Sequence, residues 1–168
     1  PKDYLLYVGT IEKRKNLITI LKTLKELPNE NLIIIGDGKS YKKKCMKFVK
    51  RNKLSERVIF LNKLSMEEIA IIYQSAKIMI YPSIFEGFGI PILEALFSKT
   101  PVITSKGSCF SEAGGPYTKY IDPLSASKMK EAIIEIESSV TLQQKMKKEG
   151  LKYAQKFTDE KIAKNLMN

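Results

Sequence analysis

Short apolar runs alternate along this chain with longer segments in which apolar residues recur at helical spacing, and no other feature narrows the choice of fold as far. The runs are YLLYV at 4–8, LIII at 32–35, VIFL at 58–61, IMIY at 78–81 and VIT at 102–104, with a weaker one near Tyr120 and Ile121. The helical segments lie at about 16–27, 40–53, 66–76, 90–98, 126–138 and 141–156. A strand with one wet face alternates apolar and polar residues, whereas these runs are nearly continuous, so both faces need cover. The pattern predicts an α/β domain: a Rossmann-like, doubly wound parallel sheet of about six strands flanked by helices. A further helix is expected at the end of the chain, with Thr158 as its cap.

The 168 residues suit one domain, and no internal repeat or low-complexity linker divides them. No apolar run approaches the roughly 20 residues that span a bilayer. Pro1-Lys2-Asp3 leads directly into the first run without a charged n-region or cleavage site, so no signal peptide is expected; the missing initiator methionine fits an excised piece of a longer protein. The chain has no histidine, which removes Ser-His and Cys-His pairs and histidine-based metal sites from its own repertoire. Cys45 and Cys109 are far apart without metal-ligand spacing, and are expected to be structural thiols kept reduced in a cytosol.

The formal charge is +11, and KSYKKKCMKFVKRNK at 39–53 holds eight basic residues and no acid. Nucleic acid, an anionic membrane or a polyphosphate could each answer such a charge. The bland alternative is the solvated back of an amphipathic helix, because Tyr41, Cys45, Phe48 and Val49 share one face. Nucleic acid is disfavoured, since the rings available for stacking, Tyr41 and Phe48, fall on the apolar side. Docking on an anionic membrane stays open.

Ligands bind such sheets beyond the carboxyl ends of the strands, where loops lead into helices. GTIEKRKN, after the first run, has one glycine, Gly9, and lacks the phosphate-loop pattern; GDGKSY, after the second, does not complete G-x-G-x-x-G. Gly36 and Gly38 therefore read first as a strand-to-helix turn. Arg14 and Lys15 stand between a strand end and a helix start, where a guanidinium fork and an ammonium can neutralise a diphosphate. Equally, a chain with 29 lysines and arginines places some in any loop.

The stretch EGFGIPILE at 86–94 is more specific. Gly87 and Gly89 let the backbone approach a ligand closely, Pro91 suits the first turn of a helix, and the free N–H groups of that helix start favour an anion. Glu94 falls in the second turn, where a carboxylate can hold a vicinal diol such as a ribose. Glu86 stays in the loop, facing a second polyol or acting as an acid favoured by the helix dipole.

Together these stretches, with RVIFLNKLSMEEIAIIYQSA at 57–76 and TPVITS at 100–105, resemble the nucleotide-sugar-binding half of the retaining glycosyltransferases of family 4, whose GT-B fold sets two Rossmann-like domains face to face. The E-x7-E element from Glu86 to Glu94 carries the resemblance furthest. It implies that Arg14 and Lys15 bind the donor diphosphate and stabilise the leaving nucleotide, while Glu86 contacts the donor sugar. It also implies that the main chain of Gly87, Phe88 and Gly89 meets sugar and phosphate, that Glu94 holds the ribose, and that Lys63 and Leu64 lie beside the base. Gly9 and Gly36, closing the first two strand runs, complete the donor-binding set. Many members have an arginine directly after the first-loop glycine, where this chain has Thr10 and carries the charge at Arg14. Neither a metal nor a cofactor is expected. The donor would be a nucleoside-diphosphate sugar, the acceptor would come from an N-terminal domain outside this chain, and the setting would be cytoplasmic, at most peripheral to the membrane. A sugar-nucleotide epimerase half-domain is the alternative enzyme reading.

Overall fold

In a computed structural model that describes residues 3–157, the apolar runs become six strands: β1 Leu5–Val8, β2 Leu32–Ile35, β3 Val58–Leu61, β4 Ile78–Tyr81, β5 Val102–Ser105 and β6 Lys119–Ile121. All pair in parallel in the order β3-β2-β1-β4-β5-β6. The helices are α1 Leu17–Lys25, α2 Ser40–Arg51, α3 Met66–Ser75, α4 Ile90–Phe97, α5 Ser108–Gly114, α6 Ala126–Glu137 and α7 Val140–Ala154. The helix expected after Thr158 lies outside the described residues.

Successive strand residues point to opposite faces, and the two faces carry separate cores. Leu5, Tyr7, Leu32, Ile34, Ile78 and Ile80 pack with residues of α1, α2 and α6. Their neighbours Leu6, Ile33, Ile35, Met79 and Tyr81 pack with residues of α3, α4, α5 and α7. Such double cover explains why the runs lack polar alternation. The edge strand β3 departs from it: Ile59 is 37% exposed, because a terminal strand has neighbours on one side only.

Local chemistry fixes the helix starts. Ser65 and Glu68 form a reciprocal capping box at α3, and Ser125 and Ser139 cap α6 and α7. Two differences from the sequence reading fall in loops. The helix expected from 16 begins at Leu17, because Asn16 adopts a left-handed conformation (φ 59°) behind a tight turn at Lys13–Lys15. The helical segments read from the sequence include nothing between 98 and 126, yet Ser108–Gly114 forms α5, whose serines, cysteine and glycine give weak helical signal. Among the described residues no helix is long and apolar enough to cross a membrane.

Candidate functional site

The strand order reverses between β1 and β4, where crossovers leave toward opposite faces and open a crevice at the carboxyl ends. Two loops meet there, residues 9–16 after β1 and 82–89 after β4. The Ile84 N–H donates to the Arg14 carbonyl at 2.8 Å. The buried amide of Asn16 donates to the carbonyls of Pro82 (3.2 Å) and Pro123 (2.5 Å), while its oxygen accepts from Thr19. The left-handed Asn16 therefore clamps the first loop to the fourth.

This stitching gathers a charged cluster. Arg14 Nη1 donates to Glu86 Oε1 at 3.1 Å and to the Phe85 carbonyl at 3.0 Å, and its Nε lies 3.3 Å from Glu12. Lys15, only 8% exposed, pairs with Glu86 Oε1 and donates to the Tyr81 hydroxyl at 2.7 Å. The Ser83 hydroxyl adds a 2.6 Å bond to the same carboxylate oxygen. Burial alone would raise the Glu86 pKa, but the hydrogen bonds from Lys15, Ser83 and Tyr81 outweigh it and hold the carboxyl below its ordinary range. Burial, reinforced by the Glu86 charge, keeps the Tyr81 hydroxyl protonated well above its usual range. The result is a partly buried carboxylate neutralised by two cations, with Arg14 still half open to solvent.

Beside it, α4 begins with Gly89 in a left-handed conformation (φ 103°) and Pro91 in its first turn. The N–H groups of Gly87, Phe88 and Gly89 bond to no described residue. A Cβ on Gly87 would meet nothing within 4 Å, so this loop keeps open space over its backbone. One turn further, Glu94 Oε2 accepts from the Tyr73 hydroxyl at 2.8 Å. Tyr73 is 2% exposed, and its own carbonyl accepts from Thr100 at 2.6 Å. Burial and the Glu94 charge hold its hydroxyl protonated. A cleft of about 220 Å³ opens against Glu94, lined by Met66, Ile69, Ala70, Tyr73 and Phe97.

The fold thus joins Arg14, Lys15 and Glu86 directly and sets Glu94 apart in a cleft of its own. Lys63 is exposed with a left-handed backbone (φ 54°) in the loop before α3, and Leu64 is half-buried against the core of that face. Gly9 and Gly36 close their strands side by side: a Cβ on Gly36 would stand 1.9 Å from the Gly9 carbonyl oxygen. Close packing between the two loops accounts for Gly36. Tyr73, Tyr81, Ser83 and Asn16 escaped the sequence reading, since no spacing rule ties Tyr73 to a carboxylate 21 positions away. A larger cleft, about 580 Å³, lies elsewhere, between β6 and α6, with the ion pairs Lys119–Glu135 and Lys128–Glu131 on its rim.

Comparison with known proteins bears on the fold and the family. The chain is 36% identical over 137 residues to the O-antigen chain mannosyltransferase RfbU of Salmonella typhimurium, which covers 81% of this chain and 39% of RfbU. Sucrose-phosphate synthase from Thermosynechococcus elongatus superposes with a TM-score of 0.90 at 25% identity, over 98% of this chain and 44% of that one. The C-terminal domain of the glycosyl transferase LpcC from Francisella tularensis superposes with a TM-score of 0.79 at 25% identity, over 92% of this chain and 85% of that one. The chain spans less than half the length of the curated relatives it matches. Its six-stranded sheet is the Rossmann-like half of a GT-B fold. With the family model for glycosyl transferases group 1 matching residues 1–153, nearly all of the sheet and its helices, the chain belongs to that family.

Proposed function

We propose that this chain is the donor-binding part of a retaining hexosyltransferase, and that it takes a nucleoside-diphosphate sugar. The observation that carries the reading is the convergence of Arg14 and Lys15 on Glu86 at the β1/β4 crevice, beside the open backbone of Gly87–Gly89. Arg14 and Lys15 bind the diphosphate and offset the charge that develops on it as the sugar leaves. They supply that charge without a metal ion. Glu86 and the main chain of Gly87, Phe88 and Gly89 meet the sugar, and Glu94 holds the ribose diol in the cleft against α3. Lys63 and Leu64 flank the base.

The acceptor comes from a second domain outside this chain. Supporting this, Ile84, Phe85 and Ile90 stand 51%, 71% and 50% exposed at the crevice rim, an apolar edge that a facing domain would cover. The names of the relatives favour mannosyl transfer into an O-antigen chain. Calorimetric titration of the chain with UDP, GDP, ADP and their sugar conjugates tests the reading. One base series should bind, and Arg14→Ala and Glu94→Ala should each weaken it about tenfold or more. Absence of binding by every nucleotide, or no effect of either substitution, refutes the donor site. Sugar transfer by this chain alone refutes the second-domain assignment.

A further inference from the structure

We infer that the outer face of α2, together with the free edge at β3, docks this chain on an anionic lipid surface. Lys43, Lys44, Lys47, Lys50 and Arg51 are all exposed on α2, and none forms an ion pair with a described residue; Lys42, by contrast, is held by Asp37. Their spacing places Lys43, Lys47 and Lys50 along one ridge, with Lys44 and Arg51 beside it. The opposite face, at Cys45 and Val49, is buried in the core. The cations are thus a free stripe of one sign on a rigid helix.

An apolar feature borders the stripe. Met46 is 48% exposed, and between α2 and β3 runs a groove of about 450 Å³ lined by Met46, Val49, Val58 and Phe60, with Lys47 and Lys50 on its rim. Cations flanking an exposed apolar strip are what a surface needs to sit at the boundary between lipid headgroups and chains. The stripe is lysine-rich, and lysine acts as a compact, non-directional point charge where discrete protein partners favour the arginine fork and aromatic anchors. The aromatic rings of α2 are turned inward: the Tyr41 hydroxyl accepts from the Ile18 N–H at 3.2 Å, and Phe48 packs against the core. Among the described residues no ring of α2 faces outward to stack on nucleic-acid bases, and Phe60 is half-buried in the groove.

The test is flotation of the chain with vesicles of phosphatidylcholine alone or with about a third phosphatidylglycerol, at near-physiological salt. Binding is expected to the anionic vesicles only, and to fall steeply with added salt. Each lysine near the surface multiplies partitioning by about fivefold, so replacing Lys43, Lys47 and Lys50 together by glutamine should lower it by about a hundredfold. Met46→Ser should weaken binding several-fold at unchanged salt dependence, the mark of an apolar contact. Lys44→Gln with Arg51→Gln, a second exposed pair, serves if the triple variant unfolds, with an expected loss of about 25-fold. No binding to anionic vesicles, or equal binding by the glutamine variants, overturns the inference. So does a single-stranded RNA oligonucleotide that binds the chain more tightly than the vesicles and displaces it from them. None of these measurements depends on nucleotide binding, so this inference and the donor site stand or fall separately.

Discussion

Replacing Tyr73 by phenylalanine removes one hydroxyl and leaves a ring that is 2% exposed in place, which isolates what that hydroxyl does for Glu94. A hydrogen bond to a charged acceptor contributes about 1.5–3 kcal/mol; half-buried Glu94 can recruit water in its stead, so the lower end, about 1.5 kcal/mol, applies to stability. For a domain of this length that corresponds to a fall in Tm of about 3–6 °C. The consequence for binding is more diagnostic. Tyr73 fixes one carboxylate oxygen and leaves the other for the cleft; without it the carboxylate should rotate and lose the grip on two adjacent hydroxyls that the proposed ribose site requires. The wild-type chain should prefer a ribonucleoside diphosphate over its 2′-deoxy counterpart by about tenfold, the worth of one hydrogen bond to a charged group. In Tyr73→Phe the preference should drop below about threefold.

Calorimetry with the ribo and deoxy ligands, run on wild type, Tyr73→Phe, Glu94→Ala and the double variant, closes a double-mutant cycle. In the Glu94→Ala background Tyr73→Phe should change nucleotide affinity little, because its partner is already absent. A Tyr73→Phe variant with lowered Tm but an unchanged ribo-to-deoxy ratio would refute the positioning role. A wild-type chain that binds both ligands equally would instead remove the ribose from Glu94.

Gly36→Ala should destabilise the fold by about 3 kcal/mol or more, because its Cβ would stand 1.9 Å from the Gly9 carbonyl oxygen at a backbone angle (φ 153°) that side chains rarely adopt. Gly87→Ala, with no atom within 4 Å of the new Cβ, should stay within about 0.5 kcal/mol of wild type by denaturant unfolding. A Gly36→Ala chain as stable as wild type would refute the account of this glycine by close packing of the two loops. Glu86→Gln should cost about 3 kcal/mol at neutral pH by leaving Lys15 buried without its counter-charge. Because the folded-state pKa of Glu86 lies below its ordinary value of 4.5, the carboxylate contribution is complete above that pH and fades as pH falls through the folded value, so the deficit should narrow only in acid. A deficit that does not change between neutral and acid pH would refute the ion-pair account.

The elements were legible because two physical signals reach the sequence directly: burial on both faces leaves runs such as LIII without polar alternation, and capping leaves Ser65 three residues before Glu68. The strand order is not written in that way. Any of several crossovers would bury the same runs, and only the side on which each helix packs decides that β1 lies beside β4. That adjacency makes the site, since it brings Arg14 to Glu86 across 72 positions. The candidate residues were visible as residue types in the right kind of loop, whereas their partners Tyr73, Tyr81, Ser83 and Asn16 belong to the tertiary fold.

Seen alone in its loop, Glu86 invites two roles, as a contact for a polyol or as an acid favoured by the helix dipole. In the fold its carboxylate occupies both cations that the diphosphate would need. The two cations are not equivalent: Lys15 is 8% exposed and tied also to Tyr81, while Arg14 keeps 46% of its side chain in solvent and a second, exposed partner in Glu12. Rotating Arg14 away from Glu86 leaves that carboxylate still neutralised by Lys15, so it adds no unpaired buried charge. Withdrawing Lys15 would strand both itself and Glu86. An incoming diphosphate should therefore recruit Arg14 by exchange, with Lys15 acting from its fixed position. The exposed arginine becomes the mobile half of the pair, and the buried lysine the part that keeps Glu86 charged and in place.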